Sequence, residues 1–324
     1  MIIKDYAVMP ETAKGRIIYD MADRAVPVPC DVNRVVTAMY PIATQLMFLA
    51  GAQDLLVGIS DMDVNNVMKR IYPPVAEIYR PGRGDGGEIS SEEILSMRPD
   101  VVFTHTRNAL RNNYADIGIA SISLKLETPE ELIRGIELVG SVTGREKKAN
   151  MVAAYYREKL DYIREKTAHM KDRKRVYFAG PAMLSTAGGD FYQNCVIEYA
   201  GGINVAGKGR GGWCAVSIEH LIDWDPDFIF IGNYGTARVE SFTSDIRLQG
   251  IKAVKKGHVY MSRYYIGSWD VPTPESILGI MWLANMLYPD EIEFDMNREM
   301  KGFYETCYGY SPGDREIAEV LRAQ

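Results

Sequence analysis

The chain has 324 residues, of which 47% are hydrophobic and 25% charged, and its formal net charge is −6. This composition is that of a soluble globular protein, and the length predicts two domains of roughly 150 residues each. The acidic balance argues against non-specific nucleic-acid binding, which needs a basic face. The sequence contains no apolar run of about 20 residues, so no membrane-spanning helix is predicted.

The first residues, 1–6, lack the apolar core that a signal peptide needs. Taken literally, this start predicts a cytoplasmic protein. The alternative is that a leader has been removed ahead of residue 1.

The cysteines are few and far apart: Cys30, Cys195, Cys214 and Cys307. None of them forms a CxxC motif, so neither a zinc ribbon nor a thioredoxin-like site is indicated. Cys195 and Cys214 are candidates for a disulfide in an oxidising compartment, and isolated, partly buried thiols are the alternative.

The first part of the chain alternates short apolar runs with helical patterns. A β-hairpin is predicted at 16–29, where turn-forming residues separate two short runs. The further predicted elements are strands within 34–41, 55–59, 101–105 and 119–124, and a helix at 42–50 closed by Gly51. Nearly continuous apolar strands separated by helices indicate a parallel sheet that is covered on both faces.

A long helical stretch then occupies residues 129–171, and Gly144 interrupts it. The part from Arg145 to about His169 is long enough, as one helix, to cross a domain. Further strands are predicted at 175–179, 228–231 and 258–261, and helices fill 274–321. We therefore predict an α/β protein of two Rossmann-like lobes with mainly parallel sheets joined by one long helix. The predicted parts are a first lobe with the hairpin at 1–142, a linker helix at 143–172 and a second lobe at 173–324.

An internal repeat supports this duplicated layout. Residues 90–104 are echoed by residues 217–231, with Ser, Glu, Pro-Asp and a four-residue apolar strand in the same order. A second echo pairs the apolar helix at 45–51 with the one at 194–202, each closed by Ala-Gly. Both echoes keep their order on either side of the long helix, which is typical of two similar lobes.

Within the first echo, Ser90 and Ser217 are good N-cap residues, and Glu92 and Glu219 follow in the first turn. Two interpretations remain open for the glutamates. Each carboxylate stabilises the start of its helix by about 0.3–1 kcal/mol through the helix dipole. Alternatively, each is an exposed charge for docking a two-fold symmetric partner.

The chain resembles the class III (cluster A) periplasmic substrate-binding proteins, which serve iron-siderophore, haem, cobalamin and molybdate ABC importers. The pieces that carry the resemblance lie at 20–24, 34–36, 41–44, 51–52, 57–59, at Glu92 with Pro99 and Asp100, at Glu219 with Pro226 and Asp227, at 257–260 and at 303–310. Together they cover about residues 16 to 321.

The resemblance implies a monomeric, non-enzymatic protein that captures a metal chelate of the ferric-siderophore kind between its lobes. It also implies that Glu92 and Glu219 meet arginines of the two membrane subunits of a permease. Proteins of this family are secreted or lipid-anchored on the extracytoplasmic face, which favours a removed leader over a cytoplasmic location. Molybdate or tungstate, haem and corrinoids are alternative ligands, and a metal-chelatase or nitrogenase-like enzyme component is the alternative of another class.

Ligands of doubly wound lobes bind beyond the carboxyl ends of the strands, and this rule selects the candidate ligand residues. Aromatic side chains offer stacking surface, and guanidinium groups clamp anionic oxygens. The candidates are Tyr40, Arg83, His105, Arg107, Tyr192, Arg210, Trp213, Tyr234, Arg263, Tyr264 and Trp269.

Direct coordination of a bare metal ion is not predicted, because such a site needs about three convergent ligands. Of the four histidines, only His105 lies at the end of a strand that faces the predicted cleft. The glycine-rich turn at 81–87 lacks the GxxxxGK[ST] pattern of a nucleotide site, although its amides suit an oxyanion. No catalytic residues and no cofactor are predicted, since we find neither a Ser-His-Asp arrangement nor a pattern of cysteine ligands.

Overall fold

A computed structural model of the protein describes residues 15–38, 42–59, 65–81, 89–106, 114–209 and 212–322. The strands in these residues are β1 (Gly15–Tyr19), β2 (Ala25–Pro29), β3 (Val35–Thr37), β4 (Leu56–Gly58), β5 (Val101–His105), β6 (Ala120–Leu124), β7 (Arg175–Ala179), β8 (Ser185–Ala187), β9 (Ile203–Asn204), β10 (Trp213–Ala215), β11 (Phe228–Ile231) and β12 (Val259–Met261). The helices are α1 (Ile42–Ala50), α2 (Asn66–Ile71), α3 (Ser91–Met97), α4 (Pro129–Thr143), α5 (Glu146–Thr167), α6 (Tyr192–Tyr199), α7 (Ile218–Trp224), α8 (Val239–Thr243), α9 (Lys252–Lys256), α10 (Ser276–Leu287), α11 (Met296–Tyr308) and α12 (Asp314–Arg322).

The chain divides into two compact units. The first comprises described residues within Met1–Leu126 and Glu130–Ala154, and the second comprises Glu127–Pro129 and described residues from Tyr155 onward. Helix α5 carries the chain from the first unit into the second, and its 22 residues make it about 33 Å long. The change of unit falls inside this helix, so the lobe boundaries at 142 and 172 stay a prediction.

The first unit is built on a parallel sheet with the strand order β4-β3-β5-β6. Its strands are short, and strands β3 and β5 are almost entirely buried. The order reverses between β3 and β5, since the chain runs from β3 outward to β4 and then returns to β5 on the other side. In open α/β sheets, the crevice beyond the carboxyl ends of two such strands is the usual place for a ligand.

The hairpin β1-β2 is fastened to this sheet by a buried carboxylate. Asp20 lies in the hairpin turn and accepts hydrogen bonds from the backbone N–H of Arg24 at 3.0 Å and of Ser123 at 3.0 Å. The guanidinium of Arg24 pairs with the same carboxylate at 2.6 Å and also donates to the Ser121 carbonyl at 2.9 Å. The predicted hairpin is confirmed, and its turn is anchored to β6.

The second unit contains a mixed sheet with the strand order β10-β8-β7-β11-β12, and β9 also pairs with β7. The strands β7, β11 and β12 are parallel, whereas β8 is antiparallel to β7 and to β10. The sequence does not predict strands β8 and β10, because neither contains a run of large aliphatic residues. They matter for function because β10 carries Trp213.

None of the four cysteines forms a disulfide bond in this structure, so the candidate pair Cys195 and Cys214 is not joined. Cys307 is buried, and Cys195 and Cys214 are partly buried. Of the helices in the described parts of the chain, none combines the length and the apolar character needed to cross a membrane.

Candidate functional site

The two echoed segments form the same local structure in each unit. Ser90 caps α3 by accepting a hydrogen bond from the Glu93 N–H at 3.2 Å, and Ser217 caps α7 by accepting one from the His220 N–H at 3.3 Å. Each helix ends on a residue in the left-handed conformation, Arg98 with φ of 46° and Asp225 with φ of 38°. Two non-glycine residues with positive φ at the same place in two units show that both helices end in the same turn.

An arginine at the start of a strand holds the far end of each helix. In the first unit, the Arg34 guanidinium donates to the carbonyls of Met97 at 2.6 Å and Arg98 at 3.0 Å. In the second unit, Arg175 donates to the Trp224 carbonyl at 3.0 Å. These bonds satisfy carbonyl groups that lose their helical partners at the C-terminus.

The aspartate of each Pro-Asp pair completes this connection. Asp100 accepts from the Arg34 N–H at 2.8 Å, and Asp227 accepts from the Arg175 N–H at 2.9 Å. In return, the N–H of each aspartate donates to the carbonyl of the same arginine at 2.8 Å. The repeated Pro-Asp therefore has a structural reason: it fixes the end of each short helix to the first strand of its sheet.

The structure shows the role of the aliphatic positions in the repeat. Ile94 is equivalent to Leu221, and both are fully buried. Leu95 is equivalent to Ile222, and both are exposed. The shared N-caps make this assignment, since each pair lies at the same distance from its serine.

Glu92 and Glu219 lie in the first turns of α3 and α7 and are both exposed. Hydrogen bonds from its own N–H and from Ser217, with a smaller effect of Arg247, lower the pKa of Glu219. The carboxylate of Glu219 is thus ionised at neutral pH. The docking role of the two glutamates remains a proposal.

In the first unit, the candidate ligand residues follow the strands at the reversal point. His105 is the last residue of β5 and is half-buried. Tyr40 follows β3 and Arg107 follows β5 in the sequence, and both lie outside the described residues, as does Arg83. Arg210, a candidate of the second unit, lies outside them as well.

In the second unit, Trp213 and Tyr234 form an aromatic surface at the carboxyl ends of β7 and β11. Their ring centroids are 6.1 Å apart, and the Trp213 ring packs edge-on against Phe191 at 4.8 Å. The equivalent strands of the first unit, β3 and β5, precede Tyr40 and Arg107. Two predicted ligand residues are thereby brought together at the sheet edge that the doubly wound rule selects.

Two glycines allow these rings to lie so close to the backbone. A Cβ at Gly180 would stand 2.1 Å from the Trp213 ring, and one at Gly232 would stand 2.6 Å from the Tyr234 ring. The Tyr234 hydroxyl turns inward and accepts a hydrogen bond from Gln193 at 3.1 Å, while the residue as a whole stays exposed. Burial of this hydroxyl raises the pKa of Tyr234, so the group stays neutral.

Two other candidates are core residues in this structure. The Tyr192 hydroxyl lies 2.7 Å from the Ser276 hydroxyl, and the ring is buried. Trp269 is buried against α10, where a Cβ at Gly279 would stand 2.1 Å from the Trp269 carbonyl. The sequence predicts that both rings offer a face to the ligand, but in this structure both rings are buried.

Arg263 is the most unusual of the candidates. It follows β12, only 6% of it is exposed, and its guanidinium stacks 4.5 Å above the Trp282 ring. Its Nε and Nη1 atoms have no hydrogen-bond partner among the residues that the structure describes. Burial lowers the pKa of Arg263 to about 10, so the group is still cationic at neutral pH. A buried cation with unused donors is suited to an anionic ligand.

The loop that carries Arg263 and the exposed Tyr264 is held by a buried carboxyl group that the sequence pattern did not reveal. Glu275, just before α10, accepts hydrogen bonds from the Gly267 N–H at 3.1 Å and from the Tyr304 hydroxyl at 3.1 Å. Burial raises the pKa of Glu275 to about 7. A carboxyl at the start of an apolar helix gives no sign in the sequence that it will be buried.

This burial predicts a pH dependence of stability. Between pH 4.5 and 7, Glu275 is ionised in the unfolded chain but keeps its proton in the fold, so the free energy of unfolding should fall as pH rises, by at most about 1.4 kcal/mol per pH unit. Denaturant unfolding at several pH values should show that Glu275→Gln removes this slope, while Glu198→Gln at an exposed position keeps it. Parallel profiles for the wild type and Glu275→Gln would contradict the assignment.

Among the described residues, no group of three His, Cys, Asp or Glu side chains is placed to hold a metal ion. His105 belongs to no such group there. The candidate residues of the second unit offer aromatic contact through Trp213 and Tyr234 and a cationic group at Arg263.

The protein consists of two α/β units, and helix α5 carries the chain from the first into the second. The first unit has a doubly wound parallel sheet, and the same helix-to-strand connection occurs in both units. This arrangement is typical of periplasmic binding proteins. The family model described as periplasmic binding protein matches residues 36–263, which is more than half of the chain. The chain belongs to this family, as the resemblance predicted, and the family is one of solute-binding proteins rather than enzymes.

Individual relatives bind different solutes. The chain is 28% identical to the molybdate-binding protein MolA of Haemophilus influenzae, over 92% of each chain. It is 23% identical to the vitamin B12-binding protein of Vibrio cholerae, over 64% of this chain and 74% of the relative.

Solved structures share the fold. A periplasmic solute-binding protein from Veillonella parvula superposes with a TM-score of 0.84 at 24% identity, over 95% of this chain and 97% of that one. Molybdate-bound MolA superposes with a TM-score of 0.77 at 24% identity, over 92% of this chain and 99% of that one. These likenesses confirm the two-lobed α/β fold class.

Proposed function

We propose that this protein is the extracytoplasmic solute-binding protein of an ABC importer and that it captures an anionic metal chelate of the ferric-siderophore kind. The observation that carries the choice of ligand is the Trp213–Tyr234 surface at the carboxyl ends of β7 and β11. A chelate has an organic skeleton that needs such flat apolar area, and its charge needs a cation.

The charge of Arg263 supports an anionic rather than a neutral solute. Its Nε and Nη1 donors have no partner among the described residues, and buried donors without hydrogen bonds are costly unless a ligand supplies acceptors for them. Tyr264, exposed on the same loop, adds further aromatic surface.

A molybdate- or tungstate-like oxyanion is the second candidate. It is favoured by the similarity to the molybdate-binding protein MolA over 92% of the chain. A small tetrahedral anion would use guanidinium and amide donors but would gain little from an exposed aromatic surface.

Delivery to a membrane permease follows from membership of the family, and we propose Glu92 and Glu219 as the charges that dock, one in each unit. Both are exposed on equivalent helices that are fixed at both ends. This role places the protein on the extracytoplasmic face of the membrane, where relatives include an ABC transporter substrate-binding lipoprotein of Bacillus subtilis.

A thermal-shift screen separates the two ligand candidates. A solute that binds only the fold at 100 times its Kd stabilises it by about 2.7 kcal/mol, which corresponds to a Tm increase of several degrees. We expect this increase with ferric siderophores, and we expect Tyr234→Ala to diminish it. If molybdate and tungstate raise the Tm in both proteins while sulfate does not, the oxyanion is the ligand. If no metal chelate, haem, corrinoid or oxyanion raises the Tm, the proposed function is wrong.

A further inference from the structure

Helices α3 and α7 each expose one large aliphatic side chain. Leu95 is 45% exposed and Ile222 is 41% exposed. A single exposed aliphatic residue on a protein surface is ordinary. Here, however, the same exposure occurs at the same position of two helices with the same caps, the same left-handed C-terminal residue and the same strand connection. Such duplication indicates a shared use.

Each aliphatic residue lies three positions after the exposed glutamate of its helix. Side chains at positions i and i+3 are neighbours on one face, so Glu92 lies beside Leu95, and Glu219 lies beside Ile222. Each helix therefore presents a carboxylate and an apolar group side by side.

Further exposed apolar groups accompany each pair. In the first unit, the exposed Tyr79 donates a hydrogen bond of 3.4 Å from its hydroxyl to Glu93 of α3. In the second unit, the highly exposed Ile246 precedes Arg247, whose charge is near enough to contribute to the lowered pKa of Glu219. Exposed apolar side chains other than Leu95 and Ile222 therefore occur in the neighbourhood of α3 and of α7.

We infer that Leu95 and Ile222 supply the apolar part of a docking surface for a permease dimer, beside the charges of Glu92 and Glu219. This inference rests on the proposed function. The partner it fits has two equivalent subunits, each with a cationic side chain next to an apolar surface, because the carboxylate-aliphatic pair occurs once in each unit.

Apolar neighbours of the docking carboxylates matter because an exposed ion pair is weak in water. Two solvent-exposed charges contribute little to affinity, whereas charges surrounded by apolar contacts that exclude water contribute more. The hydrogen bonds from Arg34 and Arg175 to the C-terminal carbonyls of α3 and α7 hold both helices in place before docking. This order reduces the conformational entropy that is lost on binding. Charge selects the partner, and the aliphatic contacts prolong the complex.

The test compares matched variants for binding to the permease dimer of the importer, reconstituted in lipid nanodiscs. We expect Leu95→Ser with Ile222→Ser to weaken binding about fiftyfold. The control pair is Met151→Ser with Ile203→Ser, one residue in each unit with exposures of 48% and 40%, and it should stay within about twofold of the wild type. Binding by Leu95→Ser with Ile222→Ser should keep its dependence on salt, because the carboxylates are intact. Ligand-induced Tm increases, measured on every variant, report that the fold and the ligand site are unchanged.

The outcomes separate this inference from the proposed function. If charge reversal at Glu92 and Glu219 weakens docking but the serine variant binds like the wild type, the inference is overturned and the proposed function stands. If neither change affects binding to the permease, the inference and the docking assignment of Glu92 and Glu219 both fail, whereas the solute-binding function is tested by the thermal-shift screen. If the wild type does not bind the permease at all, the proposed function fails. If the wild type forms dimers in mass photometry that the serine substitutions dissociate without changing permease binding, the surface serves a second copy of this chain, which also overturns the inference.

Discussion

Charge reversal at both docking glutamates, Glu92→Lys with Glu219→Lys, should reduce solute uptake by a reconstituted importer at least about hundredfold. The reason is that each change replaces an attraction to a cationic permease side chain by a repulsion, once in each unit. The Kd for the solute should stay within about threefold of the wild-type value, since neither glutamate is among the candidate ligand residues. Uptake into proteoliposomes and equilibrium binding of the solute measure the two effects separately.

The matched control is Glu146→Lys with Glu198→Lys, which makes the same change of net charge at one exposed position in each unit. Uptake by this control should stay close to that of the wild type. An equal loss in both double variants would assign the effect to overall charge, and a collapse of solute affinity in Glu92→Lys with Glu219→Lys would show that the docking assignment is wrong.

Replacement of the buried guanidinium, Arg263→Gln, should weaken binding of the anionic solute about a hundredfold. Glutamine is shorter and uncharged, so both the charge and the donors at Nε and Nη1 are lost. Loss of one partner of a desolvated charge pair typically costs 2–5 kcal/mol, which is the basis of this figure. Isothermal titration calorimetry gives the affinity directly.

Because Arg263 also packs on Trp282, its replacement needs a stability measurement beside the binding measurement. The exposed Arg164→Gln serves as a control that removes a cation without removing a buried group. If Arg263→Gln keeps the wild-type fold and binds the solute with unchanged affinity, Arg263 has a structural role only.

Much of the fold could be predicted from the sequence because its elements have strong local signals. The strands β5, β7 and β11 lie where uninterrupted apolar runs predicted them, and α1 ends at Gly51 as the capping rule indicates. The break between α4 and α5 falls at Gly144, whose φ of 70° is readily adopted only by glycine. Each of these features depends on a few neighbouring residues, which a sequence displays directly.

Other features depend on residues that are distant in sequence. Hydrogen bonds join Arg34 to the end of α3 and Arg175 to the end of α7, and no local sequence pattern predicts such contacts. The burial of Tyr192 and Trp269 follows from packing against α10, although both were selected as candidates by their position near strand ends. The exposure of Leu95 could not be predicted from the sequence, because Ile94 and Leu95 are both aliphatic and only one can face the core.

Calorimetric titration of the protein with the solute that raises its Tm most would test the central claim most directly. We predict a stoichiometry of one and a Kd of about 1 µM or lower, with binding markedly weakened by Arg263→Gln. Absence of binding heat over a range of temperatures for every chelate and oxyanion tested would contradict the claim that this chain binds an anionic metal compound.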